Sequence, residues 1–342
     1  MGKGKVTIKD VAKVAGVSTG TVSYALAGDP RINEKTRKLV EEAAHKLNYI
    51  PNEVGRSLRS RKTETIAFVI PNTSSHVFSH PYFLKLLEGI TEVLEEYSYN
   101  LQISTTPSEK EEAKAYDKIL RSNRVDGIIL SSASLKDRNI LRMVESGFPV
   151  VYLGKWHHEE VLTVERDDFR GAYEAASHLA GLGRRRIVHI SGPLDHQESV
   201  DRLEGYKQAL SDHQILYDAS LVVEKDFSRE AGAAAVEELR AANVRYDGIF
   251  AGNDLMAIGA LKQLKRMNIA VPEEVSVVGF DDIDMADAVT PELTTVHQPM
   301  REIGRMAAEK LLAVLQDREV PEKRSIVSTR LIIRESCGGQ PQ

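Results

Sequence analysis

Three polar residues stand where apolar, β-branched runs end in the second half of the chain. Asn253 follows GIFAG, Asp281 follows VSVVGF, and Arg202 opens the helical pattern after RIVHISG. In open α/β sheets, ligands bind beyond the carboxyl ends of the strands. A carboxylate there accepts from two neighbouring hydroxyls, while a guanidinium and an amide donate and fix orientation, which suits a polyol. Tyr82 and Phe83, just after the first apolar run of this region, are candidate walls from the opposite side, and so is Trp156, after PVVYLG. Plainer uses exist: Asp281 and Asp282 could cap a turn, Asn253 could hold a loop, and Arg202 could pair with Asp201.

Other chemistry finds little support. The sequence contains no G-x-x-x-x-G-K-[ST] and no G-x-G-x-x-G, so a phosphate loop and a dinucleotide fingerprint are missing; its G-x-S-x-G match, Gly16 to Gly20, lies between two helical patterns and not after a strand, where a nucleophile elbow must stand. A single Cys337 leaves nothing for a disulfide or a Cys-based metal site. His157 and His158 are adjacent but lack further ligands nearby. The expectation is no catalysis, no cofactor and no metal.

The elements that must position these residues follow from the pattern after Thr65. Apolar runs alternate with helical segments at 82–98, 109–122, 136–146, 168–181, 199–213, 228–242 and 254–267. Alternation of this kind implies parallel sheets covered on both faces, and two series imply two doubly wound lobes. A last helix at 299–316 and a strand at 324–333 must return to one lobe or both. With 342 residues the chain is too long for one ordinary domain. The expected division is 1–50, 51–64 and 65–338. Within the last, a first lobe takes about 65–161 and 294–323, and a second takes about 162–293 and 324–338.

The first 62 residues differ in charge. They carry 13 Lys and Arg against 6 Asp and Glu, while the rest carries 32 against 44. A basic head on an acidic body suggests a polyanion-binding module. Ile8, Val11, Ala12 and Ala15 mark one helix, stopped by Gly16. Ser18 caps a second, through Thr21, Val22, Ala25 and Leu26. Asn33 caps a third, with Leu39, Val40, Ala43, Ala44 and Leu47 on its inner face. The short turn after Gly16 makes the first two a helix-turn-helix, whose second helix places its N-terminal residues against base edges. A short helix over Asn52 to Arg59, weakened by Gly55, would need a partner to fold.

The strings VTIKDVAKVAGVSTGTVSYAL, INEKTRKLVEEAAHKLNYIPN and RSLRSRKT, followed in order by GIILSS, HISGP, RLEGY, AGNDLMAIGAL, SVVGFDD and LTTVHQP, resemble the LacI/GalR family of bacterial transcription regulators. The resemblance runs essentially end to end. It implies a DNA-binding head, a hinge helix and a two-lobed, periplasmic-binding-protein-like body that senses a small ligand. Thr19, Gly20 and Tyr24 then stand at base-reading positions beside Thr21, and Thr7 and Ser18 can donate to phosphates. Tyr24 departs from the family, which commonly has an Arg there to grip guanine. Leu58 matches the wedge that unstacks a base step in the minor groove. Asn52, Arg56 and Arg59, with Arg61 and Lys62, accompany it as DNA contacts. Arg202, Asn253 and Asp281 correspond to the effector-contacting trio, and Phe227 to an aromatic that stacks on the ligand.

The resulting expectation is a homodimeric repressor of a pseudo-palindromic operator in double-stranded DNA, responsive to a small-molecule effector, a carbohydrate by family frequency. Alternatives keep the DNA role with a purine or nucleoside corepressor or a phosphocarrier protein, or make the chain a sugar-modifying enzyme with a fused DNA-binding head. No leucine heptads follow the last strand, so a dimer is expected over a tetramer. No apolar run reaches the length of a membrane span. The N-terminus lacks a signal-peptide apolar region, which points to the cytoplasm.

Overall fold

A Thr, a Ser and an Asn start the three helices of the head. In the computed structural model, which describes residues 6–26, 28–49, 62–105, 109–122, 124–131, 134–135, 139–156 and 158–338, α1 spans Ile8–Ala15, α2 Thr19–Leu26 and α3 Glu34–Lys46. Thr7 donates from its backbone N–H and its hydroxyl to the Asp10 carboxylate, at 2.9 and 2.7 Å. Gly16 ends α1 at φ 65°, a left-handed position that favours glycine. Ser18 Oγ accepts from the Thr21 N–H at 3.0 Å, and Asn33 Oδ1 from the Thr36 N–H at 2.8 Å. Val11, Val22 and Val40 are fully buried between the helices. Leu39, expected on the inner face, is 47% exposed. The buried set Val40, Ala43, Ala44 already fills the stripe, and Leu39 lies about 100° of helical turn away from Val40.

The chain divides into two units, residues 1–63 and 64–342. The second unit holds two six-stranded sheets. Its elements, in order, are β1 Thr65–Ile70, α4 Ser74–Ser79, α5 Pro81–Glu96, β2 Asn100–Thr105, α6 Glu109–Ser122, β3 Gly127–Ser131, α7 Asn139–Glu145, β4 Val150–Leu153 and β5 Leu162–Arg166. There follow α8 Asp168–Gly181, β6 Ile187–Ser191, α9 Gln197–Asp212, β7 Val222–Glu224, α10 Arg229–Ala241, β8 Gly248–Ala251, α11 Asp254–Arg266 and β9 Ser276–Asp281. The tail supplies β10 Thr294–His297, α12 Met300–Leu315, β11 Arg324–Val327 and β12 Arg330–Ile332. The first sheet runs β11-β5-β4-β3-β1-β2 and is parallel throughout. The second runs β12-β10-β9-β8-β6-β7, with only the edge strand β12 antiparallel. Strands such as β3 and β9 are buried along their whole length, as helices on both faces require.

The lobe boundaries read from sequence are corrected at three places. β5, at 162–166, belongs to the first sheet and pairs with β4 and β11. β10, at 294–297, belongs to the second and pairs with β9. The expected single strand at 324–333 is two: β11 joins the first sheet and β12 the second. The chain therefore crosses between lobes after β5, after β10 and between β11 and β12. Apolar pattern marks a strand but not its neighbour, and neighbours decide the lobe. α12 returns to the first lobe and meets α5 so closely that a Cβ at Gly89 would lie 1.9 Å from the Arg301 carbonyl oxygen. α4 adds a helix that the sequence pattern does not mark; its six residues are too few to show a helical period.

Candidate binding sites

The carboxyl ends of both sheets face a cleft of about 530 Å³, open mouth included. Arg202, Phe227, Asn253 and Asp281 line it from the second lobe, and Tyr82 and Phe83 from the first. Six of the seven side chains singled out from sequence thus come together. Trp156 does not line it. Its ring packs edge-on against Tyr152, 5.2 Å between centroids, beside the core under β3 and β4. Gly154, at φ 142°, turns the chain back so that the indole covers its own lobe.

Each polar group is held by partners within the protein. Asn253 caps α11: its Oδ1 accepts from the Met256 N–H at 2.8 Å, and its Nδ2 donates to the Phe227 carbonyl at 3.0 Å. Arg202 pairs with Asp168, not with Asp201. Its Nε and Nη2 donate to Asp168 Oδ1 at 2.9 and 2.7 Å, its Nη1 donates to the Gly252 carbonyl, and the guanidinium lies 3.9 Å above the Phe280 ring. Asp201 instead accepts from Lys155 at 3.2 Å. Phe227 lies so close to Gly192 that a Cβ there would meet its ring at 2.0 Å, so glycine in HISGP makes room for the aromatic.

Asp281 ends β9, 3% exposed, with φ 126°. Such a conformation at a non-glycine residue is strained, and strain of this kind gathers at functional sites. Gln298 Nε2 donates to its Oδ1 at 2.5 Å. Burial pushes the Asp281 pKa up to about 7, against the pull of Arg202, Arg166 and Gln298. Behind it, Asp254 is wholly buried and held well above the carboxylate range by burial and by the nearby Asp281 charge. Asp254 accepts from Thr295 Oγ1 at 2.5 Å and the Ile283 N–H at 2.9 Å. Through these two bonds it supports the β9 terminus.

Sequence reading missed Asn72, His80, Arg166, His196 and Glu198, which line the same cleft. Arg166 ends β5, in the crossover whose lobe was misassigned, and donates to Tyr82 Oη and to Asp168 Oδ2, the latter at 3.3 Å. The carboxyl-end rule that found Asn253 and Asp281 would have found Arg166 had β5 been placed in the right sheet. His80 precedes Pro81 at the start of α5, and the HP pair before an apolar helical pattern was its only signal.

In the head, Ser18, Thr19 and Tyr24 are exposed and Gly20 and Thr21 half-buried. A Cβ at Gly20 would touch only Ser18 Oγ, at 3.6 Å, so packing does not demand glycine there. The Thr7 hydroxyl is engaged with Asp10, and those of Ser18 and Thr21 share a hydrogen bond at 2.9 Å; both phosphate donors named from sequence thus first serve as helix caps. Beside Tyr24 stands a guanidinium that sequence reading passed over: Arg31 lies 4.9 Å above its ring, held by Asp29. Asn52, Arg56, Leu58, Arg59 and Arg61 fall outside the described residues, as does His157; Lys62 is exposed.

Comparisons with known proteins cover both units. Residues 7–52 match the model for bacterial regulatory proteins of the lacI family, and residues 176–337 that for a periplasmic binding protein-like domain. The HTH-type transcriptional regulator CelR of Thermobifida fusca is 35% identical over 96% of this chain and 98% of its own. The transcriptional repressor CytR of Escherichia coli is 33% identical over 98% and 97%. Among solved structures, a CelR–cellobiose complex aligns over 97% of this chain and 99% of its own, with a TM-score of 0.76 and 34% identity. A lac repressor dimer bound to operator and an anti-inducer aligns over the same shares with a TM-score of 0.85 and 25% identity. With a helix-turn-helix head, two parallel-dominated sheets and relatives of this kind along its whole length, the chain belongs to the LacI family of bacterial regulatory proteins.

Proposed function

We propose that this protein is a homodimeric transcriptional repressor whose grip on a pseudo-palindromic operator is set by a carbohydrate held between the lobes of its body. The convergence of Asp281, Arg202 and Asn253 with the rings of Phe227, Tyr82 and Phe83 in one cleft carries the reading. A carboxylate, a guanidinium and an amide around aromatic faces supply the acceptors, donors and apolar walls that a sugar ring needs. The cellobiose complex of a relative supports a sugar over a nucleoside. The lac repressor dimer among the aligned structures supports self-association. In this reading the protein works in the cytoplasm by binding alone, without turnover.

Lobe closure around the sugar would shift the origins of the two hinge segments, about 52–59, in the dimer. A differential affinity of about 1–3 kcal/mol between body conformations changes operator occupancy roughly 5–150-fold. The test is a thermal-shift screen of the full chain against cellobiose, other neutral sugars, sugar phosphates, nucleosides and nucleobases, followed by operator binding with each hit. Stabilisation by nucleosides alone, or turnover of a bound sugar, would redirect the reading. The hinge has its own expected result: Leu58→Ala weakens specific operator binding far more than nonspecific binding in parallel titrations, because only a specific complex repays base unstacking. Equal losses in both would remove the wedge.

A further inference from the structure

The Asn253 amide has no hydrogen left for a ligand. One Nδ2 hydrogen goes to the Phe227 carbonyl, a contact within the second lobe. The other goes to Nε2 of His80, at 3.0 Å, and His80 belongs to the first lobe. The amide orientation is fixed, since turning it over would set Nδ2 against the Met256 N–H and Oδ1 against a carbonyl. His80 Nε2 therefore accepts, and the imidazole is neutral with its proton on Nδ1. Both ends are buried, at 6% and 2% exposure. The imidazole is wedged edge-on against Tyr82 and Phe83, with centroids 6.1 and 5.8 Å away, and Pro81 opens the helix behind it.

Other links between the lobes include the partly exposed rim pairs Lys155 with Asp201 at 3.2 Å and Lys85 with Asp284 at 3.4 Å, and the buried pair Arg166 with Asp168 at 3.3 Å, beside the crossover after β5. Exposed ion pairs contribute little. The His80–Asn253 bond is buried, and opening the lobes would break it.

We infer that His80 is a resident latch on the effector site: its imidazole occupies the Asn253 donor, ties the first lobe to the second, and must be displaced by an acceptor oxygen of a ligand that binds Asn253. His80 thus sets effector affinity by competing for Asn253. This deepens the sugar-sensing reading and rests on it for the identity of the competitor, but the latch itself needs no ligand to be tested.

Spin labels at Lys118→Cys on α6 and Ala234→Cys on α10 report the distance between lobes in the effector-free full chain; the native Cys337 is buried. His80→Leu keeps bulk against Tyr82 and Phe83 but offers no acceptor, while His80→Gln restores one. The expected result is a longer, broader distance distribution for His80→Leu and a wild-type one for His80→Gln. Cellobiose should bind His80→Leu about three- to tenfold more tightly, the size of one net hydrogen bond released from competition. An unchanged distance distribution in His80→Leu, or weaker cellobiose binding, overturns the latch. If cellobiose fails to bind the wild type, the sugar reading suffers, and the distance measurement still decides the latch.

Discussion

Asp281→Asn should give a protein that melts higher than the wild type yet no longer answers its effector. The carboxyl is buried at the end of β9 and its pKa stands near 7, well above the ordinary value of 3.8. A raised folded-state pKa means that the folded body binds more protons than the unfolded chain between about pH 4 and 7. Stability therefore falls as pH rises through that window and levels off above it. The loss is on the order of a few kcal/mol, since each pKa unit corresponds to about 1.36 kcal/mol. Asn removes the charge, keeps an oxygen for Gln298, and tolerates positive φ better than most residues. The variant should gain several degrees at pH 8 and almost nothing at pH 5. A gain independent of pH would show that the buried charge is not its source.

The effector response should move the opposite way. Two sugar hydroxyls can donate to a carboxylate, but an amide offers one acceptor oxygen and presents donors at the other position. In the wild type, those hydroxyls favour the charged form, so binding releases a proton. Affinity should rise with pH by up to tenfold per unit below about 7 and then plateau, with proton release seen as a dependence of the binding heat on buffer. In Asp281→Asn, binding of any sugar found in the screen should be weak and flat with pH, and operator affinity without effector should stay near wild type. Retained, pH-independent regulation in the variant would remove Asp281 from the effector site. Both results together would make the residue a case of stability given up for function.

What the sequence made legible follows from the range of the physics involved. Helix caps at Ser18 and Asn33 and the stop at Gly16 are local, and all three stand where expected. Asn253 and Asp281 could be found because a strand end is a local event with a known consequence. Arg166 and His80 were not found because their roles depend on partners far along the chain. Arg166 meets Tyr82 across 84 residues, and His80 meets Asn253 across 173. Asp168 is the clearest instance: it reads as an acidic residue at the start of α8, and nothing nearby announces the two guanidiniums it holds. Trp156 failed for the reverse reason. An aromatic near a cleft has two surfaces within reach, and its own lobe offered Tyr152.

Asp168→Ala is expected to be the most damaging single change in the body. Its carboxylate takes Nε and Nη2 of Arg202 on one oxygen and Nε of Arg166 on the other, with all three side chains at most 6% exposed. Removing one partner of a buried pair costs about 3–5 kcal/mol, because the remaining charge is left unpaired; here two are left. For a body of this size, 1 kcal/mol corresponds to roughly 2–4 °C, so thermal unfolding should begin about ten degrees early. Asp117→Ala is the control. Its pair with Arg142 spans 3.4 Å at the surface, and its loss should leave the melting curve in place. The double variant Asp168→Ala, Arg166→Met separates charge from packing. Methionine fills much of the arginine stem and carries no charge, so if unpaired cations cause the damage, the second substitution should recover part of the lost stability. If it makes matters worse, Asp168 acts chiefly through the start of α8, and the two arginines find other partners when it is gone.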